Sequence, residues 1–300
     1  MMPLWIGLAL MSVQSGDSET LAHAYNNPET VEISGYVGHA MEPFLSRDGE
    51  WLFFNNRNQP GDQTDLFYAR RVTDIRFEFV GSLTEANSTD LDGVASMDAD
   101  NHFYFVSPRN YEETRNTLWQ GHFADGAIED VEPVRGDVSK GKALWLNMDA
   151  EISADGRTLY FTDNRWRLFG GGIKSSTLEA ARRMEDGRFE RLTQNPFINL
   201  NSDKLEFAPA TTADELTVYF TRVDTRALKQ GDESGFGLFV ATRPSRAEPF
   251  GAPSRIQSIK GYVEGPTVSP DGCAIYFHQR VGEIFKIRRA ERRACSMQTD

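Results

Sequence analysis

The sequence predicts an all-β fold: a single β-propeller of five four-stranded blades, closed by the N-terminal strand pairing into the C-terminal blade. Three observations predict it. A turn followed by an aromatic strand recurs along the chain as "SRDGEWLFF" (Ser46–Phe54), "MDADNHFYF" (Met97–Phe105), "SADGRTLYF" (Ser153–Phe161), "TADELTVYF" (Thr212–Phe220) and "SPDGCAIYF" (Ser269–Phe277). Their last Phe residues are spaced by 51, 56, 59 and 57 residues, a structural period of the kind that marks repeat folds. Finally, "GYVGHAMEPFLSRDG" (Gly35–Gly49) returns near the other end as "GYVEGPTVSPDG" (Gly261–Gly272).

Each unit is built the same way. A short inner strand leads into an Asp-Gly type turn, whose residues tolerate positive φ. The aromatic strand follows, then a third strand: "DLFYARR" (Asp65–Arg71), "TLWQGHF" (Thr117–Phe123), "GLFVATR" (Gly237–Arg243) and "EIFKIRR" (Glu283–Arg289). A fourth strand such as "RFEFVGSL" (Arg76–Leu83) closes most units. "STLEAARRMEDGRFERL" (Ser176–Leu192) is rich in helix formers. It aligns without gaps on "TDLFYARRVTDIRFEFV" (Thr64–Val80), so the repeat predicts two strands and a turn there. The last unit lacks a fourth strand, and "PETVEIS" (Pro28–Ser34) is a strand without a blade. The expectation is that Pro28–Ser34 completes the last blade; radial repetition then leaves only short, protected edges.

The phrases "PTVSPDGCAIYF" (Pro266–Phe277), "PFLSRDGEWLFF" and "EISADGRTLYF" resemble the TolB-type, WD40-like propeller repeat of bacterial envelope proteins. The resemblance runs from about Pro28 to Arg292. It implies a blade architecture and an envelope setting rather than an activity, since such repeats serve unrelated functions.

The expected layout is a possible signal peptide at 1–15, a flexible segment at 16–27, the propeller at 28–293 and a C-terminal tail at 294–300. Pro3–Val13 is apolar, too short to span a bilayer and without the usual preceding basic residues. Periplasmic or extracellular location follows as an expectation. In that setting Cys273 and Cys295 could pair, although the sequence leaves this open. A net charge of -12 argues against nucleic acid as a partner. No segment after the leader is apolar enough for a membrane span, and a monomer is expected.

Candidate site residues fall on the loops at one mouth of the central channel. Acidic residues near the inner strands are Glu42, Asp92, Asp149, Glu151, Glu206 and Glu264; basic residues after the aromatic strands are Arg57, Arg109, Arg165, Arg222 and Arg280. One of each per blade predicts a ring of ion pairs, with Arg offering a planar fork to carboxylates. Residues outside the repeat pattern are better ligand candidates: His39, Tyr111, Trp145, Trp166, Phe169 and the loop Arg226–Gly235. The principal expectation is non-catalytic binding of a protein, peptide or glycan, with His278 also at the mouth. The alternative is a carbohydrate-active hydrolase or lyase using Glu42, Asp92 and Glu206, because glycoside hydrolysis needs two carboxyl groups in complementary roles. No cofactor is expected. Nor is a metal: His39 and His278 could share a cation with Glu42 or Glu264, but the histidines form no recognisable ligand set. The chain has no G-x-S-x-G elbow and no Walker loop.

Overall fold

The computed structural model describes residues 17–58, 61–168 and 172–296. The proposed leader at 1–15, Phe169 and the last four residues of the tail lie outside them.

Five antiparallel groups of strands are present among the described residues. The first blade holds Met41–Leu45, Trp51–Asn55, Leu66–Thr73 and Arg76–Ser82. The second holds Gly93–Met97, His102–Val106, Leu118–Ala124 and Ala127–Pro133. The third holds Trp145–Ile152, Thr158–Trp166, Ile173–Arg183 and Phe189–Arg191. The fourth holds Leu205–Thr211, Thr217–Val223, Phe236–Thr242 and the two-residue Ser254–Arg255. The fifth holds Val263–Val268, Ala274–Val281 and Ile284–Glu291. The inner strands touch in cyclic order, first to fifth and back to the first.

The aromatic strands explain how the ring packs. Successive side chains of a strand point to opposite faces. Leu159 and Phe161 enter a cluster with Tyr104 and Val106 of the second blade, while Tyr160 joins Val218 and Phe220 of the fourth. Both faces are therefore dry, and such a strand reads as continuously apolar. The turns are locked by side chains. Ser46, Ser153, Thr212 and Ser269 each donate to an Asp two residues on, and Asp48, Asp155, Asp214 and Asp271 each accept a backbone N–H two residues further along. The stretch Ser176–Leu192 forms strands and a turn, not a helix. Burial of Leu178 and Ala181 between blades outweighs intrinsic propensity.

The N-terminus closes the ring in a divided way. Glu29–Thr30 pairs antiparallel with Arg288 and Arg289, supplying the fourth strand of the last blade. Glu32–Ser34 instead pairs in parallel with Arg76–Glu78 at the outer edge of the first blade. Pro28–Ser34 thus completes the last blade only in its first half. The crossing occurs at Val31, buried among Phe77, Leu52, Tyr276 and Ile287, so one apolar side chain seals the seam between first and last blades. Residues 16–27, expected as a flexible lead-in, include the helix Ser18–Ala22, whose Leu21 and Ala22 pack with Tyr25 against the fourth and fifth blades. Cys273 and Cys295 form a disulfide.

Candidate functional site

Every inner strand carries a β-bulge at one place. The register with the aromatic strand shifts after Met41, Gly93, Met148, Phe207 and Glu264. The next residue in each blade has positive φ: Glu42 (47°), Val94 (55°), Asp149 (56°), Ala208 (51°) and Gly265 (63°). Positive φ is costly for non-glycine residues, above all for a β-branched one. Its fivefold recurrence makes these positions structurally equivalent around the channel.

That equivalence divides the candidate acids. Asp92 and Glu206 stand two residues before their bulges and are fully buried. Asp92 accepts from the Ser88 hydroxyl (2.8 Å) and from Arg109 (2.6 Å). Glu206 accepts from the Ser202 hydroxyl (2.5 Å) and from Arg222 (2.8 Å). The matching phrases "NSTDLD" (Asn87–Asp92) and "NSDKLE" (Asn201–Glu206) build the same lock twice, with Asn87 and Asn201 bridging the backbone of Leu66 and Leu178. Glu151 is also committed, accepting from Arg47 (3.1 Å), the Ser96 hydroxyl (2.9 Å) and the Thr211 amide (3.3 Å).

Glu42, Asp149 and Glu264 behave differently. Among the described residues none of them has a Lys or Arg within ion-pair distance. Asp149 accepts from the Thr162 hydroxyl at 2.7 Å. Burial, with the neighbouring Asp149 charge, pushes the Glu264 carboxyl up to about 8. Burial pushes Glu42 up to about 7, His278 acting in the opposite sense and Asp149 and Glu264 in the same one. Burial also raises Asp149. Withdrawal from water disfavours the charged form of any carboxyl, so this corner of the channel keeps protons at neutral pH. Tyr262 stands close by, its phenol raised by burial and by both glutamates.

His278 lies between the two glutamates and is wholly buried. Its Nδ1 accepts the backbone N–H of Glu42 at 3.2 Å, and its Nε2 faces Glu264 Oε2 at 3.4 Å. One ligating atom from each of Glu42, Glu264 and His278 lies within 4.8 Å of the others, close enough for a cation. The tautomer opposes that use. Nδ1 spends its lone pair on the Glu42 amide, so a neutral ring carries its proton on Nε2 and presents a donor to the gap.

The remaining candidates scatter. Arg57 pairs with Asp62 in its own loop (2.6 Å). Arg280 pairs with Glu233 of the long loop, not with Glu264, and lies over the Tyr262 ring. Arg165 is exposed and approaches the Trp145 ring at 5.9 Å, whose other visitor is Lys140 at 4.1 Å. Trp166 is tied by its amide to the Leu144 carbonyl. Tyr111 donates to the Trp145 carbonyl at 2.9 Å. His39 accepts the Phe285 amide at 3.2 Å. Among the described residues the expected ring of five ion pairs is therefore formed only at Asp92–Arg109 and Glu206–Arg222, because the candidate acids do not occupy equivalent positions. Tyr262 was not singled out by sequence. Asp149, which the sequence places beside Glu42 among the acids of the inner strands, is its counterpart: both stand twelve residues before the last Phe of their aromatic strand.

No protein-family model matches the chain, and no curated protein matches it in sequence. Solved structures do. The catalytic domain of a family 62 α-L-arabinofuranosidase from Coprinopsis cinerea aligns with TM-score 0.55 at 9% identity, over 91% of this chain and 98% of that one. An arabinanase from Bacillus subtilis aligns with TM-score 0.54 at 11% identity, over 90% and 99%. TolB from Acinetobacter baumannii aligns with TM-score 0.42 at 16% identity, over 77% of this chain and 46% of that one. The resemblance read from the repeats thus holds for the propeller and not for the TolB type in particular: at these identities the chain shares the β-propeller fold with glycoside hydrolases.

Proposed function

We propose that this propeller is a carbohydrate-active hydrolase whose working carboxyls are Glu264 and Glu42, with Asp149 as a third acid beside them. One observation carries the reading: these carboxyls converge from the fifth, first and third blades with no Lys or Arg partner among the described residues, and burial raises all three. The glycoside hydrolases that share the scaffold add support at the level of fold. Asp92 and Glu206, each held by an arginine, are not assigned to the chemistry.

Glu264, still protonated at pH 7, gives its proton to the glycosidic oxygen as the C–O bond breaks. Glu42, the more readily ionised, supplies the carboxylate on the other side. The nearest atoms of the pair lie within 4.8 Å. A separation of about 5 Å suits direct attack on the anomeric carbon and a covalent glycosyl-enzyme, while a water-inserting mechanism needs more room, about 6.5–9.5 Å. Glu264, now a carboxylate, then activates the water that releases the sugar. The Cys273–Cys295 disulfide supports an exported enzyme, because such bonds persist in oxidising compartments.

The test is turnover on a panel of oligosaccharides and aryl glycosides. Wild type should cleave at least one with retention, and Glu264→Gln should lose about a thousandfold in kcat, at the scale of lost acid catalysis. Tight glycan or peptide binding with no cleavage on any member would replace hydrolysis by plain recognition at the mouth.

A further inference from the structure

Among the described residues around Glu264, His278 alone faces it with an N–H to offer and no other use for it. We propose that His278 is a positioning residue: it holds one oxygen of Glu264 through Nε2–H and leaves the other oxygen to carry the exchangeable proton. This rests on the hydrolase reading for its purpose, but not for its test.

The argument is one of donors and acceptors. The Glu42 backbone N–H can only donate, so Nδ1, 3.2 Å away, must present a lone pair. An imidazolium would place two hydrogens in that contact, and complete burial disfavours it further. The ring is therefore neutral, with its proton on Nε2. Nε2 has no hydrogen-bond partner among the described residues, and Glu264 Oε2 lies 3.4 Å from it. Catalytic hydrogen bonds are often long before substrate binds and tighten in the complex. The ring is wholly buried, with Phe285 edge-on at 5.4 Å between centroids. Gly265 makes the arrangement possible, since a Cβ there would lie 3.3 Å from Nδ1 and 2.3 Å from Glu42 Oε2. The other titratable groups facing Glu264 are Glu42, Asp149 and Tyr262. None of these supplies a cation, and Asp149 opposes its ionisation.

A donor aimed at a carboxylate favours the ionised form. Removing it should therefore raise the Glu264 titration. His278→Leu deletes the donor; His278→Gln keeps an N–H near the Nε2 position and an oxygen able to receive the Glu42 amide. The readout is carboxyl carbon NMR of Glu264 against pH, with imidazole nitrogen shifts of His278 in the wild-type protein. We expect the Nε2–H tautomer across pH 5–9, a Glu264 titration raised by about one unit in His278→Leu, and near-wild-type behaviour in His278→Gln. In turnover, His278→Leu should lower kcat about tenfold or more with KM within twofold, and move the alkaline limb to higher pH. An Nδ1–H tautomer, or an unmoved Glu264 titration in His278→Leu, overturns the proposal. So does a shift of the His278 nitrogens on adding zinc or calcium chloride, which would make the cluster a cation site. If His278→Leu does not fold, the wild-type nitrogen shifts and His278→Gln still decide. Absence of turnover with the expected NMR result removes the hydrolase reading alone.

Discussion

Glu206 and Glu264 carry the same functional group on adjacent blades and meet opposite environments. Glu206 is paired with Arg222 in the interior, and Arg222→Ala should strand its charge there. Leaving a buried charge uncompensated costs about 3–5 kcal/mol, measurable by urea unfolding, with the Glu42–Asp149–Glu264 cluster untouched. Glu264 has no such partner and is held at about 8 by burial. Its unfolded value is about 4.3. Between those values the folded state binds a proton that the unfolded state has lost, so stability falls as pH rises through this window and levels off above it. Glu42, at about 7, adds the same sign over a narrower range. Glu264→Gln should therefore flatten the stability–pH curve between pH 5 and 8.5 and gain about 5 kcal/mol at its upper end. A mutant curve parallel to wild type would mean that the carboxyl is solvated and ionised in the native state. The difference between the two glutamates was only half legible in sequence. "NSTDLD" and "NSDKLE" announce a shared structural role, but which acids escape pairing depends on a bulge register that composition does not display.

The bulge is the element that turns a folding repeat into a site. It gives each blade one residue with positive φ, and the fold does not demand the same side chain in each: Glu42, Val94, Asp149, Ala208 and Gly265 all occupy it. At Gly265 the requirement is sharper, because an added Cβ would meet the Glu42 carboxyl. Gly265→Ala should cost about 2 kcal/mol from left-handed backbone strain alone and displace Glu42. Ala208→Gly, at the equivalent place, keeps the backbone hydrogen bond to Asp149 and should be neutral or stabilising by up to about 1 kcal/mol. Thermal melts of the pair separate backbone strain from the steric demand at the site; equal effects would show that Gly265 serves the backbone only. Strands and turns were legible because their signals are local: the Ser-x-Asp turns and the two-sided apolar strands recur in plain view. The repeat also settled Ser176–Leu192, where propensity pointed to a helix. The bulge was not legible because it is a mismatch between two strands, visible only by counting back from the last Phe of each.

At the scale of the whole molecule, the ring is held shut by its two ends. Closure by the N-terminus was legible from the missing fourth strand, but its division between two blades was not, since it depends on the width of a seam that Val31 fills. The C-terminus grips the same clasp. Arg292 bridges Tyr25, and the Arg293 side chain donates to the carbonyls of His23 and Tyr25. The Cys273–Cys295 disulfide ties this C-terminal turn to the start of the aromatic strand of the last blade, across a separation of 22 residues. Cross-linking a loop of that length restricts the unfolded chain by about 3 kcal/mol. Reduction, or a Cys273→Ser/Cys295→Ser double variant, should therefore lower stability by about that amount. Deleting residues 17–34 should lower it much further, because Leu21, Tyr25 and Val31 leave the core together with the last blade's fourth strand. If the ends act as one clasp, reduction should cost less once residues 17–34 are gone, since the C-terminal turn then has nothing to hold. Urea unfolding of the four combinations gives that coupling directly. Strictly additive losses would mean that the disulfide steadies only its own blade and that the N-terminal strands close the ring without it.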